Sequence, residues 1–261
     1  MASSVSNDQR EPGERAGAAA EPRAAPRAPP GLRRADLVDN ALRRALEDSP
    51  LAAELLSDEA LERSLQGALA SPHRQPDVWL FAYGSLVWNP VLDFEERVVA
   101  TAHGYHRSFC LWSRVNRGTP EQPGLVLGLD RGGRCTGVAY RIPQDRAQEE
   151  LRLLWRREML LGSYTPRWVL VTHGPRSFRS LAFVINRERS AYAGRLPAEQ
   201  IVARLIDSRG KIGTGLDYLR QTVDGLAAVG IRDPNLMHLD ALVRERLAED
   251  EPHRPRADLQ P

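Results

Sequence analysis

The chain has few of the residues on which several common chemistries depend. Lys211 is the single lysine among its 36 basic residues, so Schiff-base chemistry has one candidate. Its two cysteines, Cys110 and Cys135, form no CxxC pair, which argues against a disulfide framework and is typical of a reducing compartment. We therefore expect a cytoplasmic protein in which Cys110 is a buried structural thiol.

Long apolar runs and an excess of one charge are also missing. No stretch approaches 18 consecutive apolar residues, and the N-terminus lacks the apolar region of a secretory signal. The formal net charge is +2 over 261 residues, which indicates neither nucleic acid nor a membrane surface as a partner. The composition does not indicate an oligomeric state.

Three motif classes are absent as well. The segment "SRGKIGTGLD" (208–217) fits neither phosphate-loop pattern and indicates a loop before a helix. The six histidines lack the spacing of metal ligands. Ser85 lies in "YGSLV" and not in the G-x-S-x-G of a hydrolase elbow. We expect no metal site.

Composition divides the chain into four parts. Residues 1–34 are rich in Ala, Pro, Arg and Glu, which predicts a disordered tail. Residues 35–75 carry leucines at helical spacing and are predicted to form a helical extension, which either packs on the rest or stands apart. Residues 76–250 hold strand-like runs followed by helical ones, typical of an α+β domain. Residues 251–261 are predicted to be a flexible tail.

The strand and helix predictions within residues 76–250 rest on periodicity and on Gly and Pro punctuation. The predicted strands are 78–83, 97–102, 105–112, 124–129, 135–142, 167–172 and 180–185. The predicted helices are 144–161, 197–208, 215–229 and 236–248.

The helix predicted over 144–161 carries a carboxylate on its apolar face. By helical spacing, Glu158 in "RLLWRREMLLGSY" (152–164) shares one stripe with Leu151, Leu154, Trp155 and Leu161. The neighbouring arginines fall off this stripe, toward solvent: Arg152, Arg156 and Arg157. A buried carboxylate is either paired with an arginine or backbone donors, or has a raised pKa that suits a general base.

A second segment, "FAYGSLVW" (81–88), runs from an apolar strand into a Gly-Ser turn. Successive backbone N–H groups in such a turn can point the same way and bind a carboxylate or an oxyanion. An ordinary strand-to-loop turn accounts for the same residues.

Taken together, these segments resemble the ChaC-type gamma-glutamylcyclotransferases, which act on glutathione. The resemblance covers roughly residues 76–230, and Ala82 departs from it where many relatives have glycine. The matching segments are "VWLFAYGSLVWNP" (78–90), "GYHRSFCLWS" (104–113), "NRGTPEQPGLVLGL" (116–129), "GVAYRI" (137–142), "LLWRREMLLGSYTPRW" (153–168) and "GTGLDYL" (213–219).

The resemblance implies a gamma-glutamylcyclotransferase-like mixed β-barrel with surrounding helices. It also implies cleavage of glutathione to 5-oxoproline and cysteinylglycine without a cofactor. Glu158 matches the catalytic glutamate of the family. The implied substrate-binding residues are the loop Tyr83, Gly84, Ser85 and Leu86, together with Arg117 and Tyr192.

Because the arginines beside Glu158 fall off its stripe, we expect a raised pKa at Glu158 in preference to a salt bridge. Two alternatives to the implied activity stay open. One is a cyclotransferase for other gamma-glutamyl amino acids or amines. The other is a non-catalytic binding protein whose Arg-rich N-terminal segment engages acidic partners.

Overall fold

The computed structural model describes residues 31–71, 73 and 76–250. Its centre is a closed barrel with the strand order β1-β3-β2-β4-β5, in which neighbours in that order are antiparallel. Parallel pairing of β1 with β5 closes the barrel, so the sheet is mixed. The strands are β1 (Val78–Ala82), β2 (Glu96–Ser113), β3 (Gly124–Ile142), β4 (Tyr164–His173) and β5 (Arg176–Ile185). The predicted α+β class and closed mixed barrel are observed.

The four short strands predicted between residues 97 and 142 are in fact two long ones, β2 and β3. Their antiparallel pairing continues past Gly104, with a register shift between His103 and Tyr105. Two steps along β2 oppose three along β3, from Arg134 to Arg131, so the extra residue lies in β3 opposite Gly104. Gly104, Gly132 and Gly133 all have positive φ, which glycine adopts at low cost, so the extra residue is absorbed as a bulge. The glycines that predicted turns therefore mark irregularities within continuous strands.

Helices surround the barrel and precede it. They are α1 (Arg34–Val38), α2 (Ala41–Glu47), α3 (Asp58–Leu69), α4 (Ser85–Trp88), α5 (Gln144–Glu158), α6 (Ala198–Asp207), α7 (Gly215–Ala228) and α8 (Pro234–Asp250). A 3-10 turn lies at Ala52–Glu54, and β6 (Arg209–Gly210) pairs with β7 (Gly213–Thr214). Within the described ranges, none of these helices is long and apolar enough to cross a bilayer.

Helix α5 ends three residues earlier than predicted. Its last residue is Glu158, and the N–H of Met159 closes the helix on the carbonyl of Trp155 at 3.0 Å. Gly162 has a φ of +63° and donates its N–H to the carbonyl of Met159, which turns the chain into β4. Leu161 therefore lies in this turn and not on the apolar stripe of the helix.

The N-terminal helices share their core with the barrel. One buried apolar cluster contains leucines of α2 and α3, such as Leu46 and Leu65, together with Leu80 of β1 and Trp155 of α5. The helical extension therefore packs on the barrel and does not stand apart.

The predicted tails lie almost entirely outside the described residues. Residues 1–30 and 251–261 are not among those described, but residues 31–34 of the predicted disordered tail are. The carbonyl of Leu32 accepts a hydrogen bond from Asn89 Nδ2 at 2.9 Å, and α1 begins at Arg34. The ordered extension thus starts earlier than composition predicted.

Candidate active site

The loop from β1 into α4 is held from several sides. Tyr83 donates its hydroxyl to the carbonyl of Phe183 at 2.7 Å, and its own carbonyl accepts a hydrogen bond from Arg107. Tyr140 donates to the carbonyl of Leu86 at 3.0 Å. Because all five residues of β1 are buried, the loop projects from a fixed strand and keeps a defined geometry.

This loop presents backbone donors next to a tyrosine hydroxyl. Ser85 and Leu86 begin α4, and N–H groups in the first turn of a helix have no partner within that helix. A Cβ added to Gly84 would lie 3.0 Å from the hydroxyl oxygen of Tyr218. Glycine therefore allows the Tyr218 hydroxyl to approach the backbone of the loop.

Glu158 lies at the C-terminal end of α5 with its side chain 14% exposed. Burial raises the pKa of its carboxyl, and the nearby Arg157 charge opposes that rise. The free carbonyls at a helix C-terminus also disfavour a negative charge. Among the described residues the carboxylate makes one polar contact, an ion pair of 3.0 Å with Arg157 Nε, and its remaining lone pairs are open to a ligand.

The prediction that Arg157 points to solvent is wrong. Its side chain is 7% exposed and donates to Ser85 Oγ at 2.8 Å and to the carbonyl of Asn89 at 2.6 Å. Helical periodicity gives the side of the helix on which Arg157 lies, but on that side the loop of α4 replaces solvent. The expected choice between a salt bridge and a raised pKa is also wrong, since Glu158 has both.

Glu158 and the loop enclose a small recess of about 20 Å³. Burial holds the pKa of Tyr83 and of Tyr164 well above the usual value and raises that of Tyr218 to about 12. These phenols stay neutral near pH 7 and can act as hydrogen-bond donors. The lining residues are Tyr83, Gly84, Ser85, Leu86, Leu127, Glu158, Tyr164, Phe183 and Tyr218.

A larger cavity of about 160 Å³ adjoins this recess, and four residues line both: Ser85, Glu158, Tyr164 and Tyr218. We call the two the inner recess and the outer cavity. The outer cavity is also lined by Arg114 and Arg117 and, from the N-terminal segment, by Gly31, Leu32, Leu42 and Leu46.

Arg117 places a cation without an ion-pair partner among the described residues in the outer cavity, and the charge of the nearby Asp217 acts on it only at longer range. It is 1% exposed, donates to the carbonyl of Thr214 and to Gln221 Oε1, and lies over the ring of Tyr218 at 5.6 Å. Burial lowers the pKa of its guanidinium. No carboxylate of the described residues forms an ion pair with it, whereas Arg114 is bound at both nitrogens by Glu54. An anionic ligand suits Arg117.

The structure brings together Glu158, the Tyr83–Leu86 loop and Arg117, but not Tyr192. The Tyr192 hydroxyl donates to Asp130 Oδ2 at 2.9 Å, and the Arg187 guanidinium lies over its ring. Tyr192 lines neither the inner recess nor the outer cavity, although its neighbour Ala191 lines the latter.

Three residues of the site were not predicted from the sequence: Arg157, Tyr164 and Tyr218. The tyrosines lie in the matched segments "LLWRREMLLGSYTPRW" and "GTGLDYL", so the signal was present there. Arg157 gave the opposite signal, because its position on the helix indicated solvent.

The chain is similar to several known proteins. A family model described as ChaC-like protein matches residues 78–246. The "Glutathione-specific gamma-glutamylcyclotransferase" of Escherichia coli is 39% identical over 199 residues, which is 76% of this chain and 86% of the relative. The "Glutathione-specific gamma-glutamylcyclotransferase 1" of Mus musculus is 34% identical over 64% of this chain and 76% of the relative.

A solved structure supports the same assignment of the fold. The crystal structure of a yeast gamma-glutamyl cyclotransferase specific to glutathione matches with a TM-score of 0.60 and 23% identity. The match covers 66% of this chain and 97% of that one. The predicted gamma-glutamylcyclotransferase-like barrel is thereby confirmed, as is the resemblance seen in the sequence, and the chain belongs to the ChaC-like protein family.

Proposed function

We propose that this protein cleaves glutathione to 5-oxoproline and cysteinylglycine, with Glu158 as the general acid and base. The observation that carries the proposal is the position of Glu158. Its carboxylate is largely buried, has a raised pKa and open lone pairs, and lies where the inner recess meets the outer cavity. The similarity to relatives named for this activity supports the choice of substrate.

One end of the gamma-glutamyl group reaches the inner recess, whose volume of about 20 Å³ admits only a few atoms, and the rest of the group lies where the recess meets the outer cavity. The N–H groups of Ser85 and Leu86 bind its polar atoms. The neutral Tyr218 hydroxyl accepts the N–H of Leu127 and retains its own proton to donate to the substrate. The rest of the substrate extends into the outer cavity, where Arg117 pairs with a substrate carboxylate. A folded gamma-glutamyl chain held in this way has its amine close to its own gamma-carbonyl.

The reaction uses the substrate as its own nucleophile. The alpha-amine attacks the gamma-carbonyl carbon and forms a new carbon–nitrogen bond, while the bond from that carbon to the cysteine nitrogen breaks. Holding the reacting atoms together can lower the barrier by about 7–11 kcal/mol in favourable cases. N–H groups of the loop stabilise the oxyanion that forms on the gamma-carbonyl oxygen.

Glu158 moves the proton that this step requires. The ionised carboxylate takes a proton from the substrate amine, and the protonated form gives it to the departing cysteine nitrogen. A positioned acid–base group contributes roughly 10²–10⁴-fold in rate. A pKa raised by burial brings the carboxyl closer to the working pH and makes both transfers easier.

Arg157 positions this carboxylate and does not itself react. Its three nitrogens contact Glu158, Ser85 and Asn89 and so tie the base to the substrate-binding loop. One side chain thus sets the distance between the proton acceptor and the donors that hold the substrate.

The test is release of 5-oxoproline from three purified substrates: glutathione, gamma-glutamyl-alanine and gamma-glutamyl-lysine. We expect glutathione to be cleaved and the other two to react far more slowly. Preference for another gamma-glutamyl compound would reassign the substrate, and no 5-oxoproline from any of them would refute the proposal.

We also infer a cytoplasmic location, consistent with two free, buried cysteines.

A further inference from the structure

The outer cavity has a wall that lies outside the part of the chain matched by the family model. That match begins at residue 78, whereas Gly31, Leu32, Leu42 and Leu46 line the cavity alongside Glu158. Leu42 and Leu46 are the buried leucines of α2 and present apolar side chains to this space. Residues 31–56, which we call the N-terminal wall, therefore contribute surface to the site of the reaction.

The N-terminal wall is fastened at several points. Arg34 donates both terminal nitrogens to Glu150 of α5 at 2.5 and 2.6 Å, and Glu150 is 2% exposed. Glu54 binds both terminal nitrogens of Arg114 at 2.7 Å.

Backbone groups at its two ends complete this attachment. The carbonyl of Leu32 accepts from Asn89 Nδ2, and the N–H of Leu56 donates to the carbonyl of Leu160 at 2.8 Å. Such paired, partly buried contacts fix the wall on the cavity and distinguish it from a loose tail.

The position of the wall determines which part of a substrate it faces. In the proposed reaction the bond that breaks lies at Glu158, and the gamma-glutamyl group lies with one end in the inner recess. The leaving dipeptide then extends into the outer cavity, toward Leu42 and Leu46. The wall also neutralises Arg114, which leaves Arg117 as the cation without a carboxylate partner among the described cavity residues.

We propose that the N-terminal wall determines specificity for the leaving group. Leu42 and Leu46 limit the size of the side chain that follows the gamma-glutamyl group, so that a cysteine thiol is accepted and a bulky S-substituted cysteine is excluded. This proposal rests on the proposed function, since it assigns the other half of the same site.

The experiment compares Leu46→Ala with a matched control in the full chain. Leu51 lies in the same wall and is equally buried, at 3% exposure, but lines neither the recess nor the cavity. Both alanine variants lose a similar amount of buried apolar surface, so thermal unfolding should show a similar loss of stability in the two. The kcat/KM values for glutathione and for S-hexylglutathione are measured for each.

We expect Leu46→Ala to raise the ratio of kcat/KM for S-hexylglutathione to that for glutathione by about tenfold or more, because small changes in pocket size have effects of this order. Leu51→Ala leaves the ratio at the wild-type value. Leu46→Phe, which adds bulk toward the cavity, lowers kcat/KM for glutathione and lowers that for gamma-glutamyl-alanine less.

An unchanged ratio in Leu46→Ala, or an equal change in Leu51→Ala, overturns the specificity role while the cleavage of glutathione by the wild type still supports the proposed function. If Leu46→Ala does not fold, Leu46→Phe decides. An equal loss of kcat/KM for glutathione and for gamma-glutamyl-alanine in Leu46→Phe would then overturn the specificity role. Absence of 5-oxoproline from glutathione with the wild-type protein refutes the proposed function first.

Discussion

Helix α5 carries one fully buried carboxylate, Glu150, and one largely buried carboxylate, Glu158, in very different surroundings. Glu150 is 2% exposed and accepts hydrogen bonds from both terminal nitrogens of Arg34 and from the N–H of Asp93. Glu158 is 14% exposed at its side chain and contacts only Arg157 among the charged or donor groups described. The glutamate at position 150 therefore has most of its acceptor sites occupied, whereas the glutamate at position 158 has most of them available.

The difference separates a structural role from a chemical one. A carboxylate with three donors has little capacity left for a ligand and serves to fasten α1 to α5. A carboxylate with one ion pair in a cavity wall is costly to ionise and available to a substrate. Burial is common to both, so the hydrogen-bond partners, and not burial, indicate which one can act as a base.

The sharpest contrast comes from changing each carboxylate to its amide. Glu158→Gln keeps the size of the side chain but cannot accept a proton, so we expect kcat to fall by about 10²–10⁴-fold. Glu150→Gln should leave kcat within about threefold of wild type, because Glu150 lines neither the recess nor the cavity. Steady-state assays with glutathione measure both, and equal losses of kcat would remove the distinction.

The effects on the free energy of unfolding should have the opposite order, with the larger loss in Glu150→Gln. Glu150→Gln breaks charged hydrogen bonds to Arg34, so we expect the free energy of unfolding to fall by about 1–3 kcal/mol, toward the lower end because solvent screens a partly exposed guanidinium. Chemical denaturation near pH 7 measures the loss. An unaltered unfolding midpoint would mean that this ion pair does not fasten the N-terminal wall.

The raised pKa of Glu158 makes a pH-dependent prediction. Its folded-state pKa lies above the ordinary value of 4.5, so ionisation of this group costs stability as the pH rises through the folded pKa. Glu158→Gln should gain stability relative to wild type near neutral pH, and the gain should vanish below about pH 4.5. Denaturation curves at pH 4 and pH 7 compare the two, and a gain that grows on acidification would contradict a raised pKa.

Arg157 gives a smaller effect on the same group. Removing its charge in Arg157→Met leaves burial unopposed and raises the pKa of Glu158 further. Because the ionised carboxylate is the active form, the acidic limb of the kcat profile should move to higher pH. Arg152→Met is a suitable control, since Arg152 pairs with Glu62 away from the site. A limb that stays in place in Arg157→Met would separate this arginine from the base.

The smallest effect is expected at Tyr192, whose partner Asp130 resembles Glu150. Asp130 is bound by Arg187, by the N–H of Arg131 and by the Tyr192 hydroxyl. Tyr192→Phe should lower the free energy of unfolding by about 0.5–1.5 kcal/mol and change KM for glutathione less than twofold. A large rise in KM would restore the substrate-binding role that the resemblance implied for Tyr192.

The sequence predicted the parts of the site that depend on local pattern. Periodicity placed Glu158 on an inward face, and the Gly-Ser turn after an apolar strand located the Tyr83–Leu86 loop. The family resemblance predicted the closed barrel. The periodicity of individual segments does not predict closure, because closure depends on the pairing of β1 with β5.

What the sequence did not predict depends on contacts between distant elements. Helical spacing gives the direction of Arg157 but not the loop that covers it. The local pattern indicates a turn at Gly104, and only the pairing of β2 with β3 shows that β2 continues past it, opposite a bulge in β3. Leucine spacing predicted the N-terminal helices, but the bond between Arg34 and Glu150 that places them on the cavity joins residues 116 positions apart.

One measurement tests the central claim most directly. Wild type and Glu158→Gln are incubated with glutathione in H₂¹⁸O, and the products are identified by mass spectrometry. We predict that the wild type releases equal amounts of cysteinylglycine and 5-oxoproline without ¹⁸O, because the nucleophile is the substrate's own amine. We predict that the variant forms both products at least about 100-fold more slowly. Labelled glutamate from the wild type, or 5-oxoproline from Glu158→Gln at the wild-type rate, would contradict the account.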